Sequence, residues 1–282
     1  ESATLLVNGT EAYPEMLAAI ESAAQTVDLE TYTFRADGTG KRFHDALVRA
    51  AHRGVRVRVL YDYIGSLGIA DRFVRAMLEC GIMVHVYHPM VLKRPDWAIN
   101  RRDHRKILIV DSYKTFTGGL NVADEYAGAE DGGKDWRDTH VRLDGEAVAV
   151  SARQLFEYGW RTATPYQQSR TRSAQIRAKI KRGLHRPATL RSLSGGATVS
   201  PAICADGGVA VQIVGNREFR GRRRIHQAYL HAIRRARRYI LIENAYFIPD
   251  GHIRRALGNA AARGVVVAVV VARNSDVPIT AC

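Results

Sequence analysis

Cysteine is scarce in this 282-residue chain. Its three residues, Cys80, Cys204 and Cys282, are an odd number without a CxxC pair, so neither a disulfide framework nor a cysteine zinc site is indicated, and a reducing cytosol is the plain reading. Long apolar runs are also missing. The longest candidate, Gly264 to Ala272, is about half of the roughly 18 residues that a membrane-spanning helix needs. No Asp/Glu cluster has the character that metal-dependent phosphoryl transfer uses, so no metal and no cofactor are expected. From Tyr158 through Ala205 there is no acid at all, while nine Lys and Arg fall within that stretch. Over the whole chain 42 Lys and Arg face 28 Asp and Glu, a net charge of +14, which favours an anionic partner such as nucleic acid or an acidic membrane surface. Apolar residues at 46% and charged residues at 25% are ordinary for a folded globular chain.

Against that background one run stands out, DHRKILIVD from Asp103 to Asp111. In an extended segment side chains alternate faces, so His104 and Lys106, two apart, point the same way and can meet one phosphate. Ile107 to Val110 reads as buried strand. Asp111 falls in the following turn or on the other face, and is read as orienting, not attacking. The next segment, TFTGGLN from Thr115 to Asn121, looks like the return strand of a hairpin in which Gly118 and Gly119 let backbone approach a ligand, with Asn121 beside the opening.

The chain also repeats itself. Ala19-Ile20 to Ala23, Val27 to Glu30 and Phe34 match Ala232-Ile233 to Ala236, Ile240 to Glu243 and Phe247 at an offset of 213, while Ala46-Leu47 and Arg53-Gly54-Val55 match Ala256-Leu257 and Arg263-Gly264-Val265 at an offset of 210. One three-residue gap reconciles the two. Each copy reads as helix, buried strand ending in Glu, loop, helix, Arg-Gly and a valine-rich strand. Glu30 and Glu243 read as equivalent buried carboxylates.

These segments resemble the phospholipase D superfamily. His104, Lys106 and Asp111 fit its HxKxxxxD motif, and Gly118-Gly119-Leu120-Asn121 fits the G-[GS]-x-N segment that follows. Among its members the wording is most similar to bacterial cardiolipin synthases of the phospholipase D type, through LETYTF (29–34), RRDHRKILIVD (101–111), FTGGLN (116–121), WRDTHVRLDG (136–145) and ENAYFIPD (243–250). The resemblance implies an α/β fold, a mixed sheet flanked by helices, with a partial second repeat. It implies a first repeat over 1–165, a basic and Gly-rich connector over 166–208 and an incomplete second repeat over 209–282. His104 is then the nucleophile, Lys106 and Asn121 hold phosphate oxygens, and Asp138 is the carboxylate that fixes the histidine tautomer, with His140 two residues on.

The implied reaction is phosphatidyl transfer through a phosphohistidine, two phosphatidylglycerol giving cardiolipin and glycerol. A phospholipase D hydrolase using water, or a phosphodiesterase or nuclease, is the alternative. The expected partners are phosphatidylglycerol and a membrane surface, with no obligate nucleic acid because the basic run lacks interleaved stacking aromatics. The expected place is peripheral, at the cytoplasmic face of the bacterial cell membrane. Ile176, Ile180 and Leu184 give the basic run an apolar stripe of the interfacial kind, and Pro89 to Trp97 reads as a loop able to rest at headgroups. At the repeat offset a second motif is due near position 314, that is 104 plus 210, beyond Cys282. The chain therefore reads as a piece of a longer enzyme, inactive alone; a homodimer that builds its site from two copies is the alternative.

Overall fold

The computed structural model describes residues 1–88, 102–169, 209–216, 223–244 and 246–271. The chain divides into two compact units, Glu1–Ile213 and Val214–Cys282. The loop from Pro89 to Trp97 and the apolar stripe at Ile176, Ile180 and Leu184 lie outside the described residues, as does almost all of the connector.

The first unit is built on eight strands: β1 (Ser2–Val7), β2 (Thr26–Thr31), β3 (Arg56–Asp62), β4 (Met83–Tyr87), β5 (Ile107–Val110), β6 (Lys114–Gly118), β7 (Thr139–Asp144) and β8 (Thr164–Pro165). Their order across the sheet is β1-β7-β6-β5-β2-β3-β4-β8. β2, β3 and β4 are parallel, and every other pairing is antiparallel. Parallel neighbours need crossovers, supplied here by α2 (Gly38–His52) and α3 (Asp71–Glu79); α1 (Asn8–Glu21) links β1 to β2, and α4 (Glu146–Thr162) follows β7.

Strand alternation sends the sheet's apolar residues into two cores. Val27, Leu29, Val57, Val59, Leu108 and Val110 pack with residues of α1, α2 and α3. Leu60, Ile107 and Ile109 point the other way, against Ala149, Ala152, Leu155 and Phe156 of α4. With both faces covered, β2 and β3 are buried along nearly their whole length, as central parallel strands are. Two charges on the α4 side are matched in register: Asp28 sits opposite Arg58. The guanidinium donates to both carboxylate oxygens at 2.7 and 2.8 Å and to Glu157 at 2.7 Å, over the Phe156 ring at 4.7 Å.

The second unit contains α5 (Arg224–Arg235), β9 (Tyr239–Glu243), α6 (Gly251–Ala262) and β10 (Val266–Val270). The repeat is carried into its hydrogen bonding. Thr26 pairs with Arg56 in the first unit, and Tyr239 with Val266 in the second, the same partners displaced by 213 and 210. Asp37 caps α2 and its counterpart Asp250 caps α6; both helices end before a glycine at positive φ, Gly54 at +87° and Gly264 at +86°. α2 has 15 residues and α6 has 12. The three-residue gap therefore lies inside the crossover helix, close to one 3.6-residue turn, which shortens the helix while leaving its strand-facing side in phase. Ile233, Ala256, Leu257, Ala260 and Val265 form this unit's small core. Tyr239, Leu241 and Val270 are exposed, unlike their first-unit equivalents Thr26, Asp28 and Leu60.

Candidate active site

β5 begins at Ile107, opposite Glu30 of β2. His104 and Lys106 precede it in an extended lead-in that carries no strand pairing, so the motif's two key residues stand just outside the sheet. The alternation expected of them holds nonetheless. The Lys106 ammonium lies 3.2 Å from His104 Nδ1 and donates to the His104 carbonyl at 2.9 Å. Tyr32 closes the group: its ring centre is 4.7 Å from the His104 ring and 5.5 Å from Lys106 Nζ. Tyr32 carried no role in the sequence. Its position follows from the antiparallel register, since continuing past Glu30 opposite Ile107 sets Thr31 and Tyr32 beside the lead-in.

The electrostatics favour a neutral histidine beside a cation. Partial desolvation and the Lys106 charge lower the His104 pKa, with Asp103 opposing. Burial pushes Lys106 down to about 8, while Asp103 and Asp138 counteract it. His140, fully buried on β7, is driven down to about 4 by burial and then by Lys106. Three basic groups thus share a site in which one positive charge is present at neutral pH. Among the described residues no three His, Cys, Asp or Glu side chains gather to hold a metal ion.

Other residues are placed differently from expectation. Asp111 sits at the opposite end of β5 from His104, in the hairpin turn at φ +50°. Its carboxylate accepts the N–H groups of Ala24, Gln25 and Thr26 at 2.8, 2.7 and 2.8 Å, which holds its pKa below the usual carboxylate range against desolvation. There it holds the turn before β2, at the end of β5 away from the His104–Lys106 pair. Asn121 is buried, with Oδ1 accepting from the Thr33 N–H at 3.0 Å and Nδ2 donating to the Tyr126 hydroxyl at 2.7 Å. An amide nitrogen has two protons, so one stays available beyond Tyr126. The two glycines admit protein instead of a ligand. A Cβ on Gly118 meets His140 Cα and Nδ1 at 2.6 Å, and one on Gly119 overlaps the Asp138 carboxylate. Asp138 is thereby seated near Lys106, and its Oδ1 accepts the Thr139 N–H at 2.7 Å.

The family profile for the phospholipase D-like domain of cardiolipin synthase matches residues 16–160, just over half of the chain and all of the site described above. The chain belongs to the phospholipase D-like family. A second profile, phospholipase D, matches residues 113–275. The chain is 32% identical to the major cardiolipin synthase ClsA of Bacillus subtilis, over 98% of its own length and 52% of that protein's. It is likewise 32% identical to a cardiolipin synthase of Oceanobacillus iheyensis, over 97% of its length and 51% of the relative's. The chain thus spans about half the length of the curated relatives it matches. Among solved structures it is similar to a phosphatidylserine synthase of Haemophilus influenzae, with a TM-score of 0.69 at 13% identity, covering 96% of this chain and 61% of that one; this likeness shows the fold.

Proposed function

We propose that the protein is a phosphatidyltransferase of the cardiolipin synthase kind, working through a phosphohistidine on His104. The observation that carries the reading is the His104–Lys106 pair, a neutral imidazole 3.2 Å from an ammonium, in a chain whose curated relatives are named cardiolipin synthases over nearly its whole length.

The chemistry follows from the residues. A lone pair on His104 attacks the phosphorus of a phosphatidyl donor; a P–N bond forms and the P–O bond to the donor's glycerol breaks. Negative charge on the nonbridging oxygens is met by Lys106 and the remaining Asn121 N–H. With Lys106 donating to Nδ1 at 3.2 Å, the histidine proton would sit on Nε2. As phosphate draws Lys106 away, that proton is lost from Nε2 to water while water supplies one to Nδ1, where Asp138 would accept the N–H, and the Nε2 lone pair is left to attack. The departing glycerol oxygen takes a proton from a second histidine, which we assign to a second motif of the same type, from the second repeat or another copy of the chain. That histidine then removes the proton of an incoming phosphatidylglycerol hydroxyl, whose oxygen attacks phosphorus as the P–N bond breaks. Cardiolipin and glycerol result.

The substrate places the protein at a membrane surface. The second unit supports this with exposed Arg234, Arg235, Arg237 and Arg238 at the end of α5 and Arg254 and Arg255 on α6. We propose that this part of the protein attaches through these arginines, at the cytoplasmic face; no helix among the described residues is long and apolar enough to cross a membrane.

The test uses phosphatidylglycerol labelled in its phosphate. Cardiolipin and an acid-labile, base-stable label on the protein, both abolished by His104→Ala, are the expected results. Phosphatidate in place of cardiolipin points to the hydrolase alternative, and a label that survives in His104→Ala overturns the nucleophile.

A further inference from the structure

We propose that Arg105, the residue between His104 and Lys106, is a positioning residue that holds the two reacting side chains in place by clamping the face of their segment turned toward α4. The proposal deepens the reading above and rests on it for the meaning of the His104–Lys106 pair, but its test reads His104 directly.

Residues 102–106 have no strand partner, so something other than a sheet ladder must hold them. One anchor is the Asp103 N–H, which donates to Asp62 Oδ2 at 3.1 Å at the end of β3. At the other end the Thr117 hydroxyl donates to the Lys106 carbonyl at 2.8 Å, and Arg102 lies 3.7 Å from Asp62 Oδ1; between these anchors stands the Arg105 guanidinium. Alternation turns Asp103 and Arg105 toward the α4 face of the sheet as it turns His104 and Lys106 to the other face. Arg105 grips Asp103 with a fork, Nε to Oδ1 at 2.8 Å and Nη2 to Oδ2 at 2.9 Å. Nη2 also lies 2.9 Å from Glu30 Oε1, and Nη1 donates to the Leu155 carbonyl of α4 at 2.9 Å. One planar group therefore ties the motif segment to β2 on one side and to α4 on the other. Lysine has no such fork.

The charges agree with this geometry. Burial and then the Asp103 charge raise the Glu30 carboxyl well above its usual range, with Arg105 opposing; burial works against Asp103 too, but Arg105 and Glu30 hold it below the ordinary value. The cluster is thus an Asp103–Arg105 ion pair beside a Glu30 carboxyl whose neutral form is favoured by burial and by the Asp103 charge. A second observation points to the same place. Gly159 lies inside α4, where glycine weakens a helix relative to alanine, yet a Cβ there falls 2.7 Å from Arg105 Nη2 and 2.7 Å from Glu30 Oε1. The helix has given up a side chain at the point where the guanidinium sits.

Gly159→Ala therefore displaces the clamp without removing its charge. The test follows the His104 imidazole by nitrogen-15 NMR across pH in the 282-residue chain, its signal assigned by loss in His104→Gln. Groups facing His104 are Lys106 and Asp103 on its own segment and Tyr32 after β2. In the parent, His104 titrates below the ordinary value. In Gly159→Ala and Arg105→Met, each still unfolding cooperatively, the midpoint rises by about half a pH unit or more as Lys106 leaves Nδ1, and Arg105→Lys recovers less than half of that shift. A midpoint unchanged in folded Gly159→Ala overturns the proposal even if Arg105→Met does not fold, and so does a parent His104 titrating at the ordinary value. Turnover plays no part in the readout: an inactive chain with the shift leaves the clamp standing, while an active chain without it does not.

Discussion

At the scale of single residues the site trades stability for charge. Lys106 is an ammonium held where burial lowers its pKa to about 8. Because the unfolded chain keeps its proton up to about 10.5, unfolding takes up protons between those values, and stability rises with pH from about 8 to about 10.5. Lys106→Met should abolish turnover yet stabilise the fold at pH 7 by about 1–2 kcal/mol, as urea unfolding would register; a large loss of stability would contradict a desolvated cation. Activity itself should fall above about pH 8 as Lys106 loses its proton, and on the acid side only below the usual histidine range, because His104 is lowered. His140 titrates at about 4 when folded and about 6.5 when unfolded, so its contribution is present above about 6.5 and is lost as pH falls toward 4, to the extent of about 2–3 kcal/mol. His140→Phe should flatten urea midpoints across that window. Asp111 belongs to a different ledger. Asp111→Ala leaves three N–H groups without their acceptor and should cost about 2 kcal/mol, while the kcat of protein that remains folded stays unchanged; a thousandfold fall in kcat would return Asp111 to the active site.

At the scale of elements, registers decide what residues become. The Asp28–Arg58 pair exists because β2 and β3 are parallel with Thr26 opposite Arg56, placing two charges under α4 where Glu157 completes them. Arg58→Met leaves a fully buried carboxylate with only Arg153, 3.6 Å away, and should destabilise by about 3–5 kcal/mol, whereas Asp28→Leu together with Arg58→Met should recover most of that loss. Thermal or urea unfolding of the single and double variants separates the two outcomes. The strands and the crossover helices were legible in the sequence because apolar alternation and the Arg-Gly helix ends are local signals, whereas the order of the strands across the sheet was not. The lead-in of His104 and Lys106 was not. Its read as strand was correct in alternation but not in pairing, since the ladder starts only where Glu30 meets Ile107, a contact 77 residues apart.

At the scale of the whole chain, the net charge of +14 and the exposed arginines of the second unit predict binding to anionic surfaces. Each basic side chain near such a surface contributes about 1 kcal/mol, screened over about 10 Å at 0.1 M salt. The protein should co-sediment with phosphatidylglycerol vesicles at low salt, far less at about 0.5 M, and not with phosphatidylcholine. Binding that ignores salt would shift the contact to apolar residues, of which Tyr239, Leu241 and Val270 are exposed on the second unit.

Order and spacing along the chain determined the family motif, the internal repeat and even the three-residue gap between its copies, because these are properties of residues near one another or of two stretches compared. Tertiary structure alone decided the destinations of side chains whose partners are far away. Asp111 went to the N–H groups of residues 24–26, Asn121 to Thr33 and Tyr126, and Gly119 to the Asp138 carboxylate, while Arg105 joined Glu30 to Leu155. A polar group buried by folding must find its hydrogen bonds wherever the sheet order brings a donor or acceptor, and that order is set by long-range pairing that no short motif encodes.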